Sequence, residues 1–269
     1  MGTFDSVADI YEKSRYKYPP EFRNHLVEIG ALAPESAVVD LGAGTGQLAA
    51  MAAEVAGQVV AIDPEPDMVR VGKRTTSDQK NIRWESGSDH ELRKLVTWPV
   101  DLVLIGNAFH HMDQTSLLSD LDEIVTPSGA VVVCSTSIPV WLHDTDWSAT
   151  LRKHLSAELG RTVGGGGVPN HDSDMVALGS SKFSEVETWV FSRDQRRTGE
   201  SIVGEVVSST SGELSSDAVD RLLEALDPHL TDGAVLEHVT TTALIARRPG
   251  RRAPPLVEPR PSLSRSLGN

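Results

Sequence analysis

The sequence predicts an α/β fold, a mostly parallel sheet with helices on both faces, and three observations predict it. Apolar runs at 38–41, 58–62 and 101–105 show little in-out alternation, as strands buried on both faces of a parallel sheet do. Segments of helical composition separate the runs, so that strand and helix alternate up to the apolar run at 130–134. That order means parallel strands joined by right-handed crossovers. The first run ends in Asp40 and passes through a turn with Gly42, Gly44 and Gly46 at alternate positions into an Ala-rich helical segment, 47–56. Strand, glycine turn and helix in that order form the local unit that holds the charged end of a nucleotide-like ligand. Glycine permits the positive φ of such a turn and has no Cβ to keep a ligand off the backbone.

Composition bounds the rest. A chain of 269 residues is long enough for one large domain with a proper core. At 39% hydrophobic and 23% charged it is an ordinary globular sequence. It has no run of 18 apolar residues, and its start is acidic and mixed rather than signal-like, so a cytoplasmic location without a membrane span is expected. The single cysteine, Cys134, excludes an intrachain disulfide and lies in the apolar run 131–134, where a small core residue is expected. The net charge of −13 disfavours a phosphate backbone, so nucleic acid is not expected as a partner. It suits a neutral or cationic small molecule. Composition does not decide between monomer and homodimer.

The glycine spacing discriminates between ligands. A dinucleotide fingerprint is Gly-x-Gly-x-x-Gly, whereas this chain has Asp40-x-Gly42-x-Gly44-x-Gly46. A carboxylate ahead of the turn would repel a pyrophosphate and attract a cationic amino-acid tail. Asp63 closes the second apolar run about 20 residues past the turn, where βαβ nucleotide sites place the acceptor of ribose hydroxyls. This pattern resembles motif I and its partner acid in the class I S-adenosylmethionine (SAM) dependent methyltransferases, closest to their small-molecule branch, which often modifies bacterial natural products. The resemblance covers residues 1 to about 247 and is strongest at 38–63 and 101–113. It implies a Rossmann-like seven-stranded, mostly parallel sheet with an antiparallel edge hairpin, SAM as cofactor, and a small-molecule methyl acceptor.

The resemblance also implies roles. The cofactor's amino-acid end is expected on the turn at Asp40, Gly42, Ala43, Gly44 and Gly46, and its ribose at Asp63 and Pro64. Met68 is expected against the adenine. Ser88 or Asp89 is expected to read the adenine amino group, although Ser88 equally suits a helix N-cap. Asn107 completes the cofactor set. His110 matches a histidine in the family's loop after the fourth strand, and His111 stands beside it. A neutral imidazole there is either a general base or a shaper of the pocket. Zinc is not expected, since a His-His pair without i, i+4 spacing and without a second cysteine makes a poor ligand set.

In chain order, residues 1–30 read as a helical cap broken at Tyr18-Pro19-Pro20, with helices over 5–11 and 20–29. By resemblance Tyr11 and Arg15 lie near the cofactor carboxylate or the substrate; the alternative is that Tyr11, Tyr16 and Tyr18 pack the helix on the sheet. The main domain is expected over 31–248. The third strand is expected at 81–85, a helix at 114–125 stopped by Thr126-Pro127-Ser128-Gly129, and the fifth strand at 130–134. A substrate-binding insertion is expected at about 136–182, irregular apart from a helix over 151–159. Its candidates are Trp141, His143, Trp147 and His171; the two tryptophans read equally well as core. Gly164–Gly167 suits a lid hinge or a plain linker. A sixth strand is expected from 185 to about 191, helices over 198–207 and 216–226, a last strand over 234–246, and a disordered tail over 249–269.

The expected function is methyl transfer from SAM to a nitrogen or oxygen of a small molecule, with an amino sugar slightly favoured by the acidic balance. A SAM-binding enzyme that catalyses a cyclisation or rearrangement shares the same motifs. A nicotinamide oxidoreductase is disfavoured by the glycine spacing.

Overall fold

A computed structural model describes residues 7–136, 138–164, 170–210 and 213–250. Seven strands form one sheet in the order β3-β2-β1-β4-β5-β7-β6. They are β1 (Ala37–Leu41), β2 (Gln58–Asp63), β3 (Ile82–Ser86), β4 (Val100–Gly106), β5 (Val125–Thr136), β6 (Glu185–Thr198) and β7 (Ala234–Arg247). The first five pair in parallel, while β7 runs antiparallel to both β5 and β6. The β6–β7 ladder is the expected antiparallel edge, although two helices, not a tight turn, join its strands.

Ten helices accompany the sheet: α1 (Val7–Ser14), α2 (Pro20–Glu28), α3 (Gln47–Ala53), α4 (Pro66–Thr75), the single turn α5 (Leu92–Leu95), α6 (Gln114–Ile124), α7 (Asp146–Glu158), α8 (His171–Gly179), α9 (Gly199–Ser209) and α10 (Ser216–Leu226). Strand pleating sorts the core. Val38, Leu102, Leu104 and Val132 meet α2 and α3 through Phe22, Leu26, Leu48 and Ala52. Val39, Leu41, Val103 and Val131 meet α6 and α8 through Leu117, Leu121 and Leu178. A third cluster joins α7, α9 and α10 and includes Val140, Trp141, Leu151, Val203 and Leu222. Cys134 is buried in the first cluster, as expected, and burial pushes its thiol up to about 12. Among the described residues no helix is long and apolar enough to cross a membrane.

Three expectations about elements need correction. Residues 171–179 form helix α8 where irregular chain was expected. Asn170 caps it by accepting from the Ser173 N–H, and Asp172 and Asp174 favour its N-terminus. Its sequence lacks an apolar stripe, since Met175 and Val176 face solvent and Leu178 is its buried apolar anchor. Strand β6 continues to Thr198, well past Phe191, pairing residue for residue with β7. Past Phe191 the inward face of β6 is carried by Arg193, Gln195 and Arg197, so there is no hydrophobic alternation to read. Strand β5 begins at Val125, so Thr126–Gly129 continue it through a register irregularity opposite Val100 and Leu102 instead of ending the helix in a turn. Most of the Gly164–Gly167 run, the tail from 251 on and the first six residues lie outside the described residues.

Candidate active site

The carboxyl ends of the parallel strands build the site, where open α/β sheets hold ligands. The turn after β1 has φ of 68°, 56° and 86° at Gly42, Gly44 and Gly46, a left-handed path that only glycine follows freely. The Gly42 and Ala43 N–H groups both donate to the Ile62 carbonyl, at 2.9 and 3.0 Å. A Cβ on Gly42 would stand 2.6 Å from that of Ala108, so glycine also lets the loop after β4 close on the turn.

Asp40 is 1% exposed on β1. One carboxylate oxygen accepts the Ala49 N–H at 2.7 Å, and the other has no hydrogen-bond partner among the described residues. Burial raises its pKa to about 7; the Ala49 bond opposes the rise and neighbouring Asp63 adds to it. Asp63 accepts from the Gly44 N–H at 2.7 Å and the Glu65 N–H at 2.9 Å. Burial raises its pKa too, against those two bonds. With two lone-pair positions in use, the carboxylate retains capacity for further donors.

A narrow groove runs from this turn to the ends of β4 and β5. Tyr11, Arg15, Tyr16 and Tyr18 of the N-terminal segment line it together with Asp40, Gly42, Ala43, Thr45, Gln47, Asn107 and Thr136. The Tyr11 ring lies over Gly44, and the Arg15 guanidinium stacks on that ring at 4.7 Å. Asn107, at φ 51°, ties β4 to β5 by accepting the Thr136 N–H at 2.9 Å. Four buried polar atoms of this lining lack a partner among the described residues: Asp40 Oδ1, Arg15 Nε, Thr45 Oγ1 and Gln47 Nε2. Buried orphans are costly, and their convergence on one groove marks a place for a ligand with both charges. Thr45, Gln47, Tyr16 and Tyr18 were not in the expected site; their signal was proximity to the glycine turn and the cap.

The other expected cofactor residues lie beyond the lining of this groove, on adjoining strand ends. Pro64 is exposed and Met68 half-buried at the start of α4. The Gly87 N–H donates to the Asp63 carbonyl, which brings the Ser88 loop beside β2. The Ser88 N–H and hydroxyl both bond the Glu91 carboxylate, as in a helix N-cap. Asp89 accepts the Asp113 N–H at 3.2 Å and so joins the loops after β3 and β4. His110 and His111 form a tilted pair 4.0 Å apart on the turn Phe109–His111. They line neither this groove nor the cavity described next. Burial, and then the charge of His111, depress the His110 pKa.

A second cavity of about 430 Å³ lies between the ends of β5 and β7 and the segment before α7. His143, Trp147 and His171 line it, with Ser135, Asp144 and Glu237. Trp141 does not. It is 7% exposed in the α7–α9–α10 core and donates its indole N–H to the Gly164 carbonyl, so its place among the substrate residues is corrected to core.

Between groove and cavity lies a buried polar network that sequence reasoning missed. The Tyr16 hydroxyl donates to Glu237. Arg197 bonds Glu237 at 3.2 Å and Glu205 at 3.0 Å, and stacks on the Tyr16 ring at 4.5 Å. Burial raises the Glu237 pKa against the bonds from Tyr16 and Arg197. His143 places Nδ1 3.4 Å from Glu237 and Nε2 3.1 Å from the Ile138 carbonyl. Tyr16 faces the groove and Glu237 the cavity, so one hydrogen bond joins the two spaces.

Comparison with known proteins then gives the family. A family model described as a methyltransferase domain matches residues 38–129, the stretch from β1 through the start of β5 that holds the glycine turn and Asp63. An uncharacterized methyltransferase of Mycobacterium tuberculosis is 27% identical over 247 residues, covering 88% of this chain and 93% of its own. These findings support a class I SAM-dependent methyltransferase. A ubiquinone/menaquinone biosynthesis C-methyltransferase of Shewanella frigidimarina is 25% identical over 156 residues, covering 50% of this chain and 61% of its own. Among solved structures, a protein of Anaeromyxobacter dehalogenans assigned as a type II methyltransferase superposes with a TM-score of 0.62 at 20% identity, over 87% of this chain and 97% of that one. That likeness concerns the fold. The methyltransferase-domain match supports S-adenosyl-L-methionine as the cofactor.

Proposed function

We propose that this methyltransferase transfers the SAM methyl group to a nitrogen or oxygen of a polar small molecule held in the 430 Å³ cavity. The observation that carries the reading is the meeting of two spaces at the end of β5. Ser135 lines the cavity and Thr136, the next residue, lines the groove. A donor in one and an acceptor in the other would approach each other there, and methyl transfer depends chiefly on such proximity and alignment.

The groove fits the amino-acid end of the cofactor. Asp40 Oδ1 would take the ammonium, and Arg15 Nε and Gln47 Nε2 would face the carboxylate, which gives three of the four orphan atoms a partner. Tyr11 would cover the turn from above. Asp63 would accept from the ribose with its remaining lone pairs, and the Met68 and Ser88–Asp89 surfaces would flank the adenine. The cofactor supplies an electrophilic methyl on a sulfonium, a good leaving group. The protein binds, orients and excludes water.

For the acceptor, Glu237 and Asp144 in the lining and the overall charge of −13 support a basic amine, with an amino sugar of a natural-product pathway as the first class to try. The same charge argues against a nucleic-acid acceptor. The test is transfer of tritiated methyl from SAM to a panel of amino sugars, hydroxylated sugars and polyketides. Labelled amino sugars support the reading, whereas labelling of polyketides alone would move the acceptor to an apolar class.

A further inference from the structure

Methylation of a protonated nucleophile releases a proton, and the expected base, His110, lines neither space. Three other histidines line the cavity, and of these His238 places Nδ1 2.9 Å from Asp194 on β6. His143 has both ring nitrogens engaged, Nε2 against the Ile138 carbonyl and Nδ1 toward Glu237, so no free lone pair faces an acceptor. His171 is different. Its Nε2 meets the Ser135 hydroxyl, a group that can donate as well as accept.

We propose that Ser135 and His171 form the proton-accepting pair of the acceptor site, with Ser135 touching the acceptor and His171 taking the proton. This rests on the reading of the cavity as the acceptor site. Strand pleating places Val131, Val133 and Ser135 on the face covered by α8, whose first residue is His171. The pair is therefore set by β5 and a capped helix. In the reaction the acceptor nitrogen or oxygen bonds the methyl carbon as the carbon–sulfur bond breaks, its electron pair going to sulfur. The acceptor proton passes to Ser135 Oγ while the Ser135 proton passes to His171 Nε2. The product leaves methylated and the imidazole becomes imidazolium.

Asp174, buried one turn further along α8, accepts from Gln114 at 3.0 Å; burial raises its pKa, against that bond and the charge of His171. The other ionisable groups facing the cavity are Asp144 and His143 ahead of α7, and Glu237 and His238 of β7.

The pair makes a statement that needs no acceptor to test. If Ser135 donates, His171 Nε2 is unprotonated and Nδ1 carries the hydrogen. Long-range proton–nitrogen NMR of the ¹⁵N-labelled full-length protein reads this directly, with His171→Gln to assign the signal. The expected result is the Nδ1–H tautomer, shifted in Ser135→Ala. A His171 Nε2–H donating to Ser135 would overturn the proposal.

The second arm is turnover with glucosamine and SAM. His171→Gln and Ser135→Ala should lower kcat by about 10²- to 10⁴-fold, the usual worth of a general base, with KM for SAM unchanged. Ser135→Thr, which keeps a hydroxyl, should recover most of it. Normal kcat in His171→Gln also overturns the proposal. A wild-type protein that binds S-adenosylhomocysteine yet methylates no amine contradicts the acceptor class proposed above, while the tautomer still decides the pair.

Discussion

The two halves of the site are built from different kinds of sequence. The proposed cofactor groove draws the largest share of its lining from one contiguous strand, turn and helix, 37–53, whose parts are fixed by neighbours in the chain. The acceptor side is assembled from distant pieces: Tyr16 meets Glu237 across 221 positions and Ser135 meets His171 across 36. The first kind of site is a local backbone conformation with a carboxylate beside it. The second is a set of side chains that become neighbours only when β7 runs between β5 and β6. The first can be recognised from residue spacing alone; the second needs the sheet order.

The strongest way to break the comparison is to remove the cation of the network. Arg197→Met leaves Glu205 and Glu237 buried without their partner, and should cost about 3–5 kcal/mol of stability, read by urea unfolding. A loss below about 1 kcal/mol would mean that the network does not hold β6, β7 and α9 together. The groove, being local, should keep its affinity for S-adenosylhomocysteine in the folded fraction.

Next comes Asp40→Asn, which keeps the bond to Ala49 and removes the charge. Affinity for S-adenosylhomocysteine should fall about 10- to 100-fold, the ~1.5–3 kcal/mol of a hydrogen bond to a charged group. Stability of the ligand-free protein should rise instead. Its folded pKa is raised from 3.8 to about 7, so the ligand-free protein loses stability as pH climbs through that window. A variant less stable than wild type at pH 8 would show that the charge is compensated in the free protein.

The same carboxylate gives a pH dependence. Binding of an ammonium requires it ionised, so affinity should fall as pH drops from 8 to 6 and Asp40 takes up a proton, while Asp40→Asn should be nearly flat. Equal slopes in both proteins would move the titration elsewhere. The smallest effect expected is that of His110→Ala, which should change turnover less than tenfold because the ring lines neither space.

Legibility followed the same division. Gly42, Ala43, Asp40, Tyr11 and Arg15 could be singled out from the sequence, because each sits in or beside a local motif, and they line one groove. The core strands were readable because burial on both faces leaves an unbroken apolar run. Strand β6 was cut short because its last residues, Ser192 to Arg197, are polar on both faces, the inward one included, and α8 was missed because it has a cap but no stripe. Nothing in the sequence marks Arg197 and Glu205 as buried, since a solvated carboxylate looks the same there as one neutralised by a residue far along the chain. Trp141 and Trp147 were ambiguous for the opposite reason: an aromatic residue suits a core and a cavity wall alike, and only one of them reaches the cavity.

The most direct measurement is isothermal titration of the wild-type protein at pH 8 with S-adenosylhomocysteine and with 5′-methylthioadenosine, which lacks the amino-acid tail. Tighter binding of S-adenosylhomocysteine by about 100-fold or more, with most of that margin lost in Asp40→Asn, is the expected result, since the tail adds hydrogen bonds to charged groups on both sides of the groove. Equal affinities for the two compounds would contradict the claim that the orphan atoms around Asp40 and Arg15 form the seat of a zwitterion.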